Sequence, residues 1–112
     1  MLAELQLRHF RCFESLRIEL APGFNFFLGR NGQGKTSILE AACVLFRLQS
    51  QRSSSLAPVV RFGEKSFAVS GRIENHHLDF RYSALRRKVA IDEIEQRTFG
   101  EYLRLGRVVS FA

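Results

Sequence analysis

The sequence contains no tryptophan and only two cysteines, Cys12 and Cys43. Two cysteines at this spacing are too few for a disulfide framework or a zinc site. Free cysteine usually behaves as a small apolar residue and is buried. We therefore expect two reduced, buried thiols.

Long apolar runs are missing as well. No stretch approaches the roughly 20 apolar residues that cross a bilayer. The first residues mix Glu4, Gln6 and Arg8 with apolar side chains, a pattern unlike a signal peptide. We expect a cytoplasmic protein that does not associate with membranes.

Acidic residues are scarce relative to basic ones. The chain of 112 residues has 17 basic and 11 acidic side chains, a net charge of +6 and a pI near 10.2. Most of the basic residues are arginine, whose planar guanidinium pairs with phosphate through two hydrogen bonds. A polyanionic partner is therefore plausible, either nucleic acid, nucleotide or both, although a solvated basic surface explains the charge equally well. Apolar residues make up 46% of the chain, enough for the core of one domain or part of one.

The strongest motif is a glycine-rich loop that satisfies the pattern G-x-x-x-x-G-K-[ST]. Glycines let backbone N–H groups approach a triphosphate, and the lysine contacts the β- and γ-phosphates as a point charge. The threonine hydroxyl ligates Mg²⁺. The motif comprises Gly29, Arg30, Asn31, Gly32, Gln33, Gly34, Lys35 and Thr36.

The surroundings of this loop fit a nucleotide site. Residues 24–28 are almost continuously apolar, which predicts a central strand covered on both faces. Residues 36–48 contain no glycine or proline and are apolar nearly all round, which predicts a buried helix. The positive end of that helix dipole would lie at the phosphates.

Alternation of apolar and polar residues predicts an antiparallel sheet in the rest of the chain. Residues 2–10 and 15–20 should pair with each other, Gly71 should mark a bulge or a weak point, and Gly106 should end a short helix. The remaining predicted elements are strands over 66–73, 77–83, 87–91 and 107–111, a hairpin turn at 74–76 and a helix over 98–105.

Several stretches resemble the bacterial RecF family, which comprises DNA recombination and repair ATPases of the ABC type related to SMC and Rad50 heads. The segment from Asn31 to Ala41 is close to the family signature N-G-Q-G-K-T-x-x-L-E-A. The other similar stretches are Leu5–Arg11, Pro22–Gly29, Arg61–Gly71 and Arg107–Phe111.

The resemblance implies an α/β fold of the P-loop NTPase type, the first lobe of an ABC-type ATPase head with an added antiparallel sheet. It further implies ATP and Mg²⁺ as cofactors and a head-to-head homodimer that grips DNA at junctions of single and double strands. The expected partners are recombination mediator proteins, and the expected processes are recombinational repair, replication restart and the SOS response. Thr36 would ligate Mg²⁺, and Ser37 would join the loop in binding ATP.

One family feature is altered and others lie outside the sequence. Where the family has G-R-S-x-R, this chain has Leu48-Gln49-Ser50-Gln51-Arg52. The signature motif, the Walker B acids and the switch histidine follow residue 112 in such proteins, so no catalytic residue is expected here. ATPase activity is expected only of the full-length protein. The alternatives are another SMC- or Rad50-like ATPase, or a nucleotide- or DNA-binding module without turnover.

Other basic residues have two interpretations each. In related heads an arginine in the position of Arg11 contacts the nucleotide, but a surface salt bridge is the alternative. Arg52 either contacts a DNA phosphate or lies in a solvated loop. The cluster Arg86, Arg87 and Lys88 either follows a DNA backbone or forms a charged strand edge.

Overall fold

The computed structural model describes residues 2–19, 32–50, 54–73 and 75–107, and for 32–36 and 106–107 the backbone only. Its main element is a six-stranded antiparallel sheet in the order β2-β1-β3-β4-β5-β6. Two α-helices and a 3₁₀ turn complete the described part. The strands are Leu2–Phe10, Phe13–Glu19, Ser66–Ile73, His76–Ser83, Arg87–Ile91 and Ile94–Glu95, the helices α1 and α2 are Gly32–Arg47 and Gly100–Arg107, and the 3₁₀ turn is Ala57–Val59.

One face of the sheet forms the core. Paired residues on neighbouring strands point to the same side, and one such row runs through Leu7, Val69, Phe80 and Val89. All four side chains are buried. The alternate positions along the same strands are polar, and this second face, which we call the outer face, lies opposite the core.

Helix α1 packs on the core face, as its apolar sequence predicts. Ile38, Ala42 and Leu45 are buried, and Arg47 at its end is exposed. Helix α2 contacts α1, and the buried Tyr102 hydroxyl donates a hydrogen bond of 2.6 Å to the carbonyl oxygen of Leu45.

The close approach of α1 explains Gly71. A Cβ atom at this position would lie 2.7 Å from Leu45 Cδ2 and 2.9 Å from the carbonyl oxygen of Glu4. Gly71 pairs regularly with Leu5 and Leu78. The register shift lies instead in β1, between Leu2 and Glu4. The bulge expected at Gly71 is therefore wrong, and the glycine serves helix packing.

The structure corrects three other expectations. Helix α2 continues through Gly106 to Arg107, so Gly106 does not end it. Cys12 is exposed because it lies in the turn between β1 and β2, and Cys43 is only half-buried, so the thiols are not both in the core. The two-residue strand β6 was not predicted, since Asp92 and Glu93 form its turn at positive φ without the glycine that usually signals one.

The strand predicted over 15–20 begins earlier, at Phe13, and the helix predicted over 98–105 begins later, at Gly100. The strands over 66–73 and 87–91 have the predicted bounds, and the strand predicted over 77–83 begins at His76. The apolar strand predicted over 24–28 and residues 108–111 of the last predicted strand lie outside the described residues.

Candidate nucleotide site and basic surface

Helix α1 begins at Gly32, inside the glycine-rich motif and four residues before the predicted start at Thr36. The first four N–H groups of a helix have no partner within it, and they carry its partial positive charge. Here those groups belong to the motif itself. The first turn contains no acidic residue that would compete for them. The backbone therefore suits a bound phosphate.

The structure locates the motif residues only in part. The first five residues of α1 are Gly32, Gln33, Gly34, Lys35 and Thr36. Ser37 follows with its side chain buried. Gly29, Arg30 and Asn31 lie outside the described residues, so the shape of the loop before the helix stays a prediction.

Arg11 forms a partly buried ion pair with Glu40 one helical turn beyond the motif. Its Nε donates to Glu40 Oε1 at 2.9 Å, and its Nη2 donates to Glu40 Oε2 at 2.7 Å. The Glu40 side chain is 0% exposed and that of Arg11 is 21% exposed. Glu40 lies four residues after Thr36 on α1, a rise of about 6 Å. Arg11 is thus held beside the helix that carries the motif.

Further contacts fix this pair in place. Ser50 Oγ donates a hydrogen bond to Glu40 Oε2, and Arg11 Nη1 donates to the carbonyl oxygen of Pro58 at 3.2 Å. The Arg11 backbone N–H donates to the carbonyl oxygen of Val59 at 2.7 Å. The network therefore joins the β1–β2 turn, helix α1, the segment after α1 and the 3₁₀ turn.

Arg11 occupies this position at a conformational cost. Its φ of 52° lies in the left-handed region, which costs a non-glycine residue about 1 to 2 kcal/mol. The hydrogen bond to Glu40 raises the pKa of Arg11, against the effect of burial. Strain of this kind is common where a side chain is needed in one place. The salt bridge foreseen as one interpretation of Arg11 is present, but it is buried at the carboxylate rather than a surface pair.

The partnership of Arg11 with Glu40 could not be predicted from the sequence. The residues are separated by 29 positions, and no local pattern links them. Ser50, the serine of the family pattern G-R-S-x-R, donates a hydrogen bond to Glu40.

The structure divides the cluster of Arg86, Arg87 and Lys88. The guanidinium of Arg87 lies over the Tyr82 ring, 5.5 Å from its centroid, and Arg86 Nη2 is 3.7 Å from Glu95 Oε2. Lys88 is paired with Arg81 on β4, on the outer face. Arg86 and Lys88 line the same groove, whereas Arg87 lies over Tyr82. Arg52 lies outside the described residues.

Within the described ranges, no group of three or more His, Cys, Asp or Glu side chains could hold a metal ion. No helix in that part of the chain is long and apolar enough to cross a membrane.

Comparison with known proteins gives a consistent family. The family described as AAA domain matches residues 4–101. The DNA replication and repair protein RecF of Limosilactobacillus reuteri (strain DSM 20016) is 34% identical over 116 residues, covering 100% of this chain and 31% of that protein. RecF of Streptococcus gordonii is 36% identical over 115 residues, covering 99% of this chain and 32% of that protein.

Two solved structures resemble this chain in fold. The recombination mediator protein RecF-ATPrS in the RecFOR pathway superposes with a TM-score of 0.75 at 25% identity, covering 92% of this chain and 29% of that one. RecF-ATP of the same pathway gives a TM-score of 0.75 at 24% identity, covering 92% and 30%, and supports the fold. The chain thus spans about a third of the length of the curated relatives it matches. It belongs to the AAA domain family and has the fold of a P-loop ATPase, and its resemblance to the RecF proteins is confirmed over its whole length.

Proposed function

We propose that this protein binds ATP with Mg²⁺ through the loop from Gly29 to Thr36, followed by Ser37. Lys35 would contact the β- and γ-phosphates, and Thr36 would hold the metal through its hydroxyl. When bound, Mg²⁺ would neutralise charge on the phosphate oxygens. The observation that carries this proposal is the start of α1 at Gly32, which gives the free N–H groups of the helix to the motif.

Arg11 would support the same site. Glu40 and Pro58 hold three of its nitrogens, and the guanidinium lies about one turn of α1 from the expected metal ligand. From there it would stabilise negative charge on the nucleotide, and Glu40 would keep it aligned.

The full-length protein would be an ATP-dependent DNA-binding protein of recombinational repair and replication restart, acting as a head-to-head homodimer. Similarity to RecF proteins over the whole chain supports this. So does the net charge of +6, because phosphate contacts by Arg and Lys dominate affinity for DNA. Catalytic carboxylates would come from sequence after residue 112, so we expect the 112-residue chain alone to bind ATP weakly without turnover.

The experiment compares DNA binding by the full-length protein with and without ATP and Mg²⁺. Fluorescence anisotropy of a labelled duplex with a single-stranded end should show binding that requires ATP. Lys35→Ala should abolish the ATP dependence of DNA binding. The control is Lys65→Ala, which removes an exposed lysine directly before β3 and should leave that dependence unchanged. DNA binding that is equally strong without nucleotide would contradict the proposal. A steady release of phosphate by the 112-residue chain would contradict the assignment of hydrolysis to other segments.

A further inference from the structure

The outer face of the sheet carries a row of cations that the sequence does not reveal. Arg8 on β1 pairs with Ala68 on β3, Ala68 pairs with Arg81 on β4, and Arg81 pairs with Lys88 on β5. Cross-strand partners project from the same face. Arg8, Arg81 and Lys88, which we call the basic stripe, therefore lie side by side although 80 positions separate the first from the last.

The basic stripe is accessible, and its three cations lie outside ion-pair distance of any carboxylate in the described residues. All three side chains are exposed. None of them forms an ion pair within the described part of the chain. The stripe lines a groove of about 590 Å³ whose wall also includes Arg86. Asp79, two residues before Arg81 on the same face, is attracted both to His77, whose Nδ1 lies 3.4 Å away, and to Arg81. Together with Glu93 and Glu95 it lines a second groove beside Arg81 and Lys88.

The spacing of the stripe suits a nucleic-acid backbone. Neighbouring strands lie about 4.8 Å apart, so the stripe extends over about 14 Å from β1 to β5. One strand of B-form DNA carries a phosphate about every 3.4 Å along its axis, so this length spans about four phosphates. The other outward positions are mostly polar, with Gln6, Ser70 and Arg72 on one side of the stripe and the acidic Asp79 beside Ser70. Packing of another domain of the same protein here would bury unpaired cations at a high cost.

The groove offers no free aromatic ring for base stacking. Of the aromatic residues that line it, Phe67 is only 2% exposed, and Tyr82 is stacked on Phe67 at 5.2 Å with Arg87 over its ring. Proteins that bind single strands combine cations with stacking aromatics. A groove with cations alone favours contact with phosphates of a duplex rather than with bases.

We propose that the basic stripe binds the sugar–phosphate backbone of duplex DNA without reading its sequence. This inference rests on the proposed DNA-binding function and adds the surface that performs it. Of the cluster suggested by the sequence, it includes Lys88 and leaves out Arg87, which lies over Tyr82. It also adds Arg8 and Arg81.

The test uses the full-length protein with ATP and Mg²⁺ and a labelled duplex oligonucleotide. The variant carries Arg8→Gln, Arg81→Gln and Lys88→Gln. The matched control carries Arg47→Gln, Arg97→Gln and Arg104→Gln, three exposed arginines outside the stripe whose removal gives the same net charge. Affinity is measured at salt concentrations from about 50 to 200 mM.

We expect the salt dependence to separate the two variants. Loss of three phosphate contacts should reduce the slope of log K against log salt by about 2 to 3, since each contact contributes about 0.9. The duplex affinity of the stripe variant should fall by tenfold or more, and the control should retain most of the slope. ATP binding, measured separately, should be unchanged in both.

The outcomes that overturn the inference are distinct from those that overturn the proposed function. Equal slopes for wild type and stripe variant, or equal losses in variant and control, would refute the stripe as a binding surface. If the stripe variant lost affinity for single-stranded DNA but not for the duplex, duplex DNA would be refuted as the ligand of the stripe. If the wild type binds no DNA with ATP present, the proposed function itself fails. Should the triple variant not fold, Lys88→Gln alone should reduce the slope by about 0.9, and an unchanged slope there would refute the inference.

Discussion

The ion pair between Arg11 and Glu40 permits a quantitative prediction. We consider Arg11→Met, which keeps an aliphatic side chain and removes both N–H donors to the carboxylate. Glu40 is 0% exposed, so water cannot replace those donors. Removing one partner of a buried ion pair typically costs about 3 to 5 kcal/mol. Because Ser50 Oγ still donates to Glu40 Oε2, we expect the lower end, about 3 kcal/mol.

An exposed ion pair in the same sheet is the matched control. Arg17 Nη2 lies 2.6 Å from Glu4 Oε2, but the Arg17 side chain is 62% exposed. Exposed pairs contribute about 0 to 1 kcal/mol. Arg17→Met should therefore lower the free energy of unfolding much less than Arg11→Met does, although its hydrogen bonds have similar lengths.

A double variant completes the cycle. Arg11→Met with Glu40→Leu removes both charges, and replacing a buried pair by apolar residues is often close to neutral. We expect the double variant to be more stable than Arg11→Met alone by about 2 kcal/mol. The assay is urea unfolding followed by circular dichroism. The reasoning would be refuted if Arg11→Met lowered the free energy of unfolding no more than Arg17→Met does. It would also be refuted if the losses of the two single variants, Arg11→Met and Glu40→Leu, simply added in the double variant.

Three further predictions concern packing, thiol chemistry and pH. Gly71→Ala should destabilise the fold by about 1 to 3 kcal/mol in urea unfolding, since its Cβ would meet Leu45 and backbone, whereas Ser70→Ala on the outer face should change little. Cys12 should react with a thiol reagent much faster than Cys43, which is half-buried and whose pKa burial raises; equal rates in single Cys→Ser variants would contradict this. The hydrogen bonds from His76 and His77 lower the pKa of Asp92 below its usual value, so its contribution to stability is present above about pH 4 and is lost as the pH falls further. Asp92→Asn should flatten that acid-side loss in thermal unfolding, and an unchanged pH profile would contradict it.

Much of the fold follows from local pattern. Strands such as 66–73 alternate strictly, with Phe67, Val69 and Ile73 on the core face, so their limits could be predicted from the sequence. The helix after the glycine-rich motif was also predictable, because few residues in it are polar. Its start at Gly32 was not, since glycine is a poor helix former and was assigned to the loop.

Features that depend on long-range register could not be predicted. Arg8 and Arg81 look like ordinary outward-facing residues of separate strands, and only the pairing through Ala68 brings them beside Lys88. Similarly, Gly71 suggested a bulge until the position of Leu45 on α1 explained it. The end of α1 gave no glycine signal either, because the buried Leu48 itself adopts a positive φ of 59°.

The candidate site shows the same division. The motif from Gly29 to Thr36 was evident from spacing and residue type. The partner that holds Arg11 was not, because a carboxylate within an apolar helix usually indicates a local ion pair rather than a contact across 29 positions.

The measurement that tests the central claim most directly is calorimetric titration of ATP with Mg²⁺ into the full-length protein. Wild type and Lys65→Ala should bind with the same affinity, and Lys35→Ala should show no measurable binding. Omission of Mg²⁺ should weaken binding by the wild type and by Lys65→Ala alike. Nucleotide affinity that is unchanged in Lys35→Ala would contradict the assignment of this loop as the ATP site.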